Sequence, residues 1–244
     1  MEYFLSIVGF IPGVVKTLIR YFKFNLPSGK IFGTMIDNNK DLKIFVKDLF
    51  VPNNTFDSPK IFSKEGEYTQ ANPNISSVWP DVEAIGVAKL FNLLGRLGKK
   101  DKLTVVEMSK GLDIWNSDII VLGAQAIKSL EFYKVMGNVG YSMDSREIYD
   151  KETNRIIRRE SEYGYGLIIK AKNTTLPEGR IGNAILLGGF GVLGTQAAIH
   201  YFCNNIARLG KEFGKNNFSL IVRARISSGE QSAERLDKFT KIYN

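Results

Sequence analysis

Short runs of β-branched and aromatic residues alternate along the chain with longer stretches in which apolar residues return every three or four positions. The first rhythm predicts strands at residues 42–46, 103–107, 118–122, 165–170, 184–187 and 218–226. The second predicts helices at 81–97, in a short stretch ending near 135, at 195–209 and at 230–242. Helix 81–97 is the clearest. Val82, Ile85, Leu90, Leu93, Leu94 and Leu97 form its apolar stripe, Pro80 and Asp81 suit its start, and Gly98 with Lys99 and Lys100 suits its end. In 195–209, Ile199, Phe202, Ile206 and Leu209 share a face, and Gly210 suits the stop. Residues 119–122 and 184–187 are apolar throughout, as strands buried on both faces are. We expect these two, with 218–222, at or near the middle of one sheet.

Residues 149–156 read as a hairpin around a polar turn, made basic by Arg155, Arg158 and Arg159. Residues 52–80, rich in Asn, Ser, Pro and Lys, read as a long loop. Strands alternating with helices over about 200 residues predict an α/β chain. The expected form is a Rossmann-like layered sheet, mostly parallel, with a hairpin insertion and an extra N-terminal helix. The expected units are a helix in 1–25, a strand and polar loop in 26–79, and the Rossmann-like domain in 80–244. A single domain from 26 to 244 is the alternative.

Residues 3–22 are strongly apolar, but Pro12, Lys16 and Arg20 interrupt them, which argues against a spanning helix. No basic residue precedes the apolar run and no clear small-residue cleavage site follows it, so a signal peptide is disfavoured. Lys16, Arg20 and Lys23 fall on one helical face. Two readings stay open: a terminal helix packed on its own domain, or a helix lying in a membrane interface.

Composition narrows the chemistry. The hydrophobic share is 44%, enough for a substantial core in a chain of 244 residues. The net charge of +8 suits an anionic small molecule, acidic lipid or nucleic acid without choosing among them. A single cysteine, Cys203, rules out a disulfide within the chain and fits a reducing, cytoplasmic compartment, with membrane association left open. A zinc site of His and Cys ligands takes about four of them, and the chain has one His, His200, beside Cys203. No metal site is expected.

The most informative stretch is the apolar run 184–187 followed by Gly188, Gly189, Gly191, Gly194 and Thr195. Gly189, Gly191 and Gly194 have the spacing G-x-G-x-x-G between a strand and a helix. Such a turn lets backbone approach a bound phosphate, and the helix behind it points free N–H groups and a positive dipole end at the same spot. An acidic residue is usual at the end of the next strand, where it holds a ribose hydroxyl. Here Arg223 and Arg225 stand there instead. Arg225 would suit a 2′-phosphate, as in an NADP site. A second strand–turn–helix unit runs from residue 118 through Gly123 and Gln125. Glycines that merely pack a helix on a strand are the competing explanation.

Gly188-Gly189-Phe190-Gly191 resembles the G-G-x-G-T-x-x-E turn of the lysine-decarboxylase-like, LOG-type Rossmannoid proteins, and residues 118–123 look like the first strand and glycine turn of such folds. The resemblance covers residues 80–226. It implies nucleotide binding, and it implies the sensor or effector roles that related domains play in prokaryotic defence. Val192 stands in place of the motif Thr, and Ala or Ile occupies the place of the catalytic Glu. The resemblance therefore speaks for binding more than for hydrolysis.

The candidates for catalysis are Glu107, His200 and Cys203. His200 and Cys203 are neighbours on one helix face, although a helix-interior Cys is usually buried and inert. Glu107, Asp113 and Asp118 lie near strand ends, with Glu107 the best placed of these carboxylates. Three functions follow. The first is a module binding a nucleotide or nucleotide-derived ligand as sensor or effector. The second is an NADP-dependent oxidoreductase or nucleotide hydrolase. The third is a membrane-tethered interaction protein without a small ligand. A homo-oligomer is compatible with all three. If residues 3–23 meet an anionic membrane, flotation with anionic liposomes is lost when Lys16, Arg20 and Lys23 are replaced by Glu, or at high salt. Equal flotation of wild type and variant would remove the electrostatic part of that reading.

Overall fold

The computed structural model describes residues 25–47, 49–52, 75–78, 81–108, 116–124, 127–136, 139–143, 147–158, 160–174, 176 and 179–243. The basic N-terminal segment 3–23, most of the expected 52–80 loop, Asp113 and Gln125 lie outside these residues.

In chain order the elements are helix α1 (Pro27–Phe32), strands β1 (Leu42–Val46), β2 (Leu49–Pro52) and β3 (Ile75–Val78), helix α2 (Asp81–Arg96), and strands β4 (Leu103–Glu107) and β5 (Asp118–Leu122). Helix α3 (Ile127–Val135) precedes strands β6 (Tyr141–Met143), β7 (Glu147–Asp150), β8 (Arg155–Arg158), β9 (Tyr163–Asn173) and β10 (Gly182–Gly189). Helix α4 (Gly191–Glu212), strand β11 (Asn217–Arg225) and the short strands β12 (Glu234–Arg235) and β13 (Lys241–Tyr243) complete the set.

The main sheet has eight strands in the order β12-β11-β9-β10-β5-β1-β4, with β13 also on β11. The run β4-β1-β5-β10 is parallel at every pairing. Strand β9 then sits antiparallel between β10 and β11, which restores β11 to the direction of β10. The chain is thus mixed α/β, with the parallel run β10-β5-β1-β4 reaching the β4 edge of the sheet. The three apolar strands lie where their composition requires. β5 and β10 are neighbours, β11 lies beyond β9 from β10, and residues 119–122, 185–187 and 220–222 are fully buried.

Alternation along these strands divides the core in two. Ile44, Val46, Ile120, Leu122, Ile185, Leu187, Leu220 and Val222 face α1, α2 and α4. Phe45, Ile119, Val121, Ala184, Leu186, Leu167, Ile169 and Ile221 face α3 and the small sheet β6-β7-β8. The expected hairpin is β7–β8, with Asp150 paired to Arg155. The Asp150 carboxylate accepts the N–H groups of Glu152 (3.0 Å) and Thr153 (3.2 Å) and so shapes the turn.

Several expectations need correction. Residues 230–242 are not a helix. They form 3₁₀ turns at Ile226–Ser232 and Asp237–Phe239, and the strands β12 and β13. β11 would otherwise end the sheet with unpaired backbone groups. Pairing Arg235 with Val222 and Lys241 with Ser219 satisfies them, and a lone helix of that length is marginal. The 52–80 segment is not all loop, since β2 and β3 pair across it. Helix α4 starts four residues before the expected Thr195. Gly210 does not end it, because Gly210 lies inside the helix under the backbone of Pro27, where a Cβ would collide with the Pro27 carbonyl. Gly214, at φ +59°, follows the true end.

At the amino ends of the parallel strands, buried polar groups tie loops to the sheet. Asp118 accepts the Asn183 N–H at 2.6 Å. Lys99 donates to the Asp37 and Lys40 carbonyls at 2.7 and 2.5 Å. Lys170, 2% exposed, donates to the Lys215 and Asn216 carbonyls at 2.8 and 3.2 Å and closes the α4–β11 turn.

Two glycine substitutions separate packing from propensity. A Cβ at Gly188 would collide with the backbone of Gly123 and Ala124, whereas one at Gly95 in α2 meets nothing among the described residues within 4 Å. We expect Gly188→Ala to lower unfolding free energy by about 2–3 kcal/mol. Gly95→Ala should raise it by about 0.5–1 kcal/mol. Chemical denaturation of both variants checks this.

Candidate functional site

At the carboxyl ends of the central strands the chain leaves in opposite directions. After β10 it goes to α4 on one face of the sheet, while after β5 it goes to α3 on the other. Diverging connections open a crevice beyond the strand ends, the usual ligand position in open α/β sheets.

Two backbone turns lie at these strand ends. The first is Gly123–Ala124, which leaves β5 with Gly123 at φ +87°. It is held from the α3 side, where the Ser129 hydroxyl donates to the Gly123 carbonyl and the Tyr133 hydroxyl donates to that of Ala124 at 3.2 Å. The second is Gly188-Gly189-Phe190-Gly191. Gly188 lies directly against the Gly123–Ala124 backbone, so the turns touch. The Phe190 N–H bonds the Tyr165 carbonyl of β9 at 2.8 Å.

The glycines of the G-x-G-x-x-G run have different surroundings. Cβ atoms on Gly189 and Gly194 would strike each other's backbone and the Tyr165 carbonyl. These two let α4 sit down on β9 and β10. Gly191 is exposed, at φ +60°, with nothing among the described residues within 4 Å of where its Cβ would be. It begins α4, whose N-cap residue Phe190 provides no side-chain hydrogen bond, and the first turn holds no acidic residue. Thr195 is buried one turn further in.

Among the described residues, the buried acid bordering the Gly123 turn comes from α2. Glu83 is 4% exposed, and its Oε1 lies 3.6 Å from the position of a Cβ on Gly123. Its Oε2 is buried with no hydrogen-bond partner among the described residues. Burial pushes the carboxyl up to about 7, against the partial relief of its own backbone N–H and the charge of Lys47, which follows β1. A carboxyl that titrates near neutrality in a crevice is a functional-site signal. Glu83 was absent from the sequence expectations, although its spacing from Gly86, Val87, Leu90 and Leu94 puts it on the buried stripe of α2.

The structure brings together Gly123, Gly188, Gly189, Gly191 and Gly194. Arg225 ends β11, separated from β10 by β9. It is exposed, and its position beyond Ala224 turns it to the face opposite α4. Glu107 ends the outer strand β4, in register with Val46 and two strands from β5. His200 and Cys203 lie two turns and more into α4. The His200 Nε2 is 2.9 Å from the Asn204 side-chain nitrogen, and burial lowers the imidazole's proton affinity. Burial pushes the Cys203 thiol up to about 11, so it carries no thiolate at neutral pH. No three His, Cys, Asp or Glu side chains gather as a metal site among the described residues, and no described helix is long and apolar enough to cross a membrane.

No protein-family model and no curated protein matches this chain. What defines it is its own architecture, a mixed α/β sheet with two touching glycine turns at the carboxyl ends of its parallel strands.

The titration of Glu83 has a measurable consequence. Its carboxyl ionises near 7 in the fold and near 4.5 in an unfolded chain. Between these values the fold holds a proton that the unfolded chain has released. The stability this group contributes is therefore full below about pH 4.5 and is lost as pH rises through about 7. From about pH 5 to about pH 8, wild type should lose roughly 2 kcal/mol more than Glu83→Gln, read from denaturant melts at each pH.

Proposed function

We propose that this chain is a Rossmann-like module that binds a nucleotide or nucleotide-derived ligand, with a phosphate at the N-terminus of α4, in a sensing or effector role. One observation carries the reading. Gly189 and Gly194 are closed against backbone, while Gly191 between them stands open at an uncapped helix start. That is the division of labour of a phosphate turn, in which one glycine makes the turn, one admits the ligand and one packs the helix. The dipole and first N–H groups of a 22-residue helix favour an anion there. The basic charge of the chain favours the same class of ligand.

An enzymatic role, nucleotide hydrolysis, is the second reading. Its support is the near-neutral carboxyl of Glu83 beside the same turn, a group suited to general acid–base work. Turnover of a bound nucleotide by wild type but not by Glu83→Gln would favour it.

Gly191→Ala tests the binding site against a matched control. Gly214 has nearly the same positive φ and equally open surroundings, at the other end of α4. Each Ala variant should lose about 1–2 kcal/mol of stability from left-handed strain. Only Gly191→Ala should also lose affinity, by at least about tenfold, when folded protein is titrated with nucleoside mono- and diphosphates. Mass spectrometry of small molecules released from purified protein would name the ligand. If wild type binds no nucleotide at millimolar concentration, the reading fails and the glycines serve packing alone.

A further inference from the structure

The Glu83 carboxyl has features that helix geometry does not explain. An acid in the first turn of a helix is ordinarily solvated and favours the dipole from the surface, as Asp81 does, exposed two residues earlier. Glu83 is instead turned inward, between α2 and the Gly123 turn, with Oε2 buried and unpaired among the described residues. A buried polar atom left without a partner costs about 1–3 kcal/mol. Such groups are rare and call for an explanation in function. The groups facing it are few. Among the described residues, Lys47 supplies a cationic influence from the β1 side, the Gly123 turn presents uncharged backbone, and α4 presents Ile199 to the next turn of α2 at Gly86. No described partner of Glu83 takes the role of a hydrogen-bond donor to Oε2.

We propose that Glu83 is a ligand-contacting residue, its carboxyl exchanging hydrogen bonds with a hydroxyl of the molecule whose phosphate lies on α4. The Gly123–Ala124 turn lies against Gly188 and is bordered by Glu83, so one ligand lying along the two turns would span from α4 to α2. A neutral carboxyl both donates and accepts, as a hydroxyl does, so the pair needs no buried charge. The ligand class is then a phosphorylated sugar or nucleotide rather than a simple anion.

This inference rests on the proposed phosphate site, and the two can fail separately. The probes are inorganic phosphate and ribose 5-phosphate, titrated by calorimetry into the full chain. Wild type is expected to bind ribose 5-phosphate at least about tenfold more tightly than phosphate. Glu83→Leu should reduce that ratio to near one while leaving phosphate affinity unchanged, and Glu83→Gln, which keeps a donor and an acceptor, should retain most of it. An unchanged ratio in Glu83→Leu, or no preference for the sugar phosphate in wild type, overturns the role of Glu83 and leaves the phosphate site standing. Binding of neither probe at millimolar concentration overturns both. If Glu83→Leu does not fold, ribose 5-phosphate binding near pH 7 in buffers of different ionisation enthalpy decides. Wild type should take up more protons than Glu83→Gln, and equal uptake overturns the proposal.

Discussion

Direct contact between backbones, with no side chain in between, is the constraint on which this fold depends. Gly188 lies on the Gly123–Ala124 turn, Gly189 and Gly194 lie on each other and on Tyr165, and Gly166 lies under Gly194, whose carbonyl would be 2.5 Å from an added Cβ. These contacts set how closely α4 approaches the sheet, and α4 is the element through which the core on that face is assembled. α1 meets it at Gly210, α2 meets it through Gly86 and Ile199, and β9, β10 and β11 lie beneath it. A methyl group at the centre of this stack would lift the helix and loosen each of those contacts together.

The same closeness accounts for the site. A helix seated this low starts at the level of the strand ends, so its first turn opens beside the turn that leaves β5. Ser129 and Tyr133 of α3 hold the Gly123–Ala124 turn from one side of the sheet, and Glu83 of α2 borders it from the other. The two turns therefore meet where the two halves of the core meet, and side chains on one face hold the Gly123–Ala124 backbone fixed.

Much of this was legible in the sequence. The uniform apolarity of β5 and β10 announced burial on both faces, and the glycine spacing announced a close turn between strand and helix. Strand direction was not legible, because side-chain alternation is the same in either direction. The antiparallel placement of β9 follows from the short link 174–181, too short for a parallel crossover. The tail was misread because Leu236 and Phe239 have helical spacing, while the competing claim came from backbone groups of β11 far away in sequence. Glu83 was missed because a first-turn acid is ordinarily a surface feature. Its place on the buried stripe was visible, and so was the Gly123 turn, but not that the two lie side by side. Arg225 was expected beside the glycines because β11 is next in the chain, and β9 intervenes in space.

The amine of Lys170 has a further consequence. Burial and the neighbouring Lys172 and Lys215 charges lower its proton affinity to about 8, so a larger fraction of it is the free, nucleophilic base than at a surface lysine. Its side chain is nonetheless enclosed where α4 turns into β11. An acylating reagent can reach it only in molecules where that corner has come apart. Its labelling rate thus counts the transient openings of one corner of the protein, set by local stability rather than by reagent access.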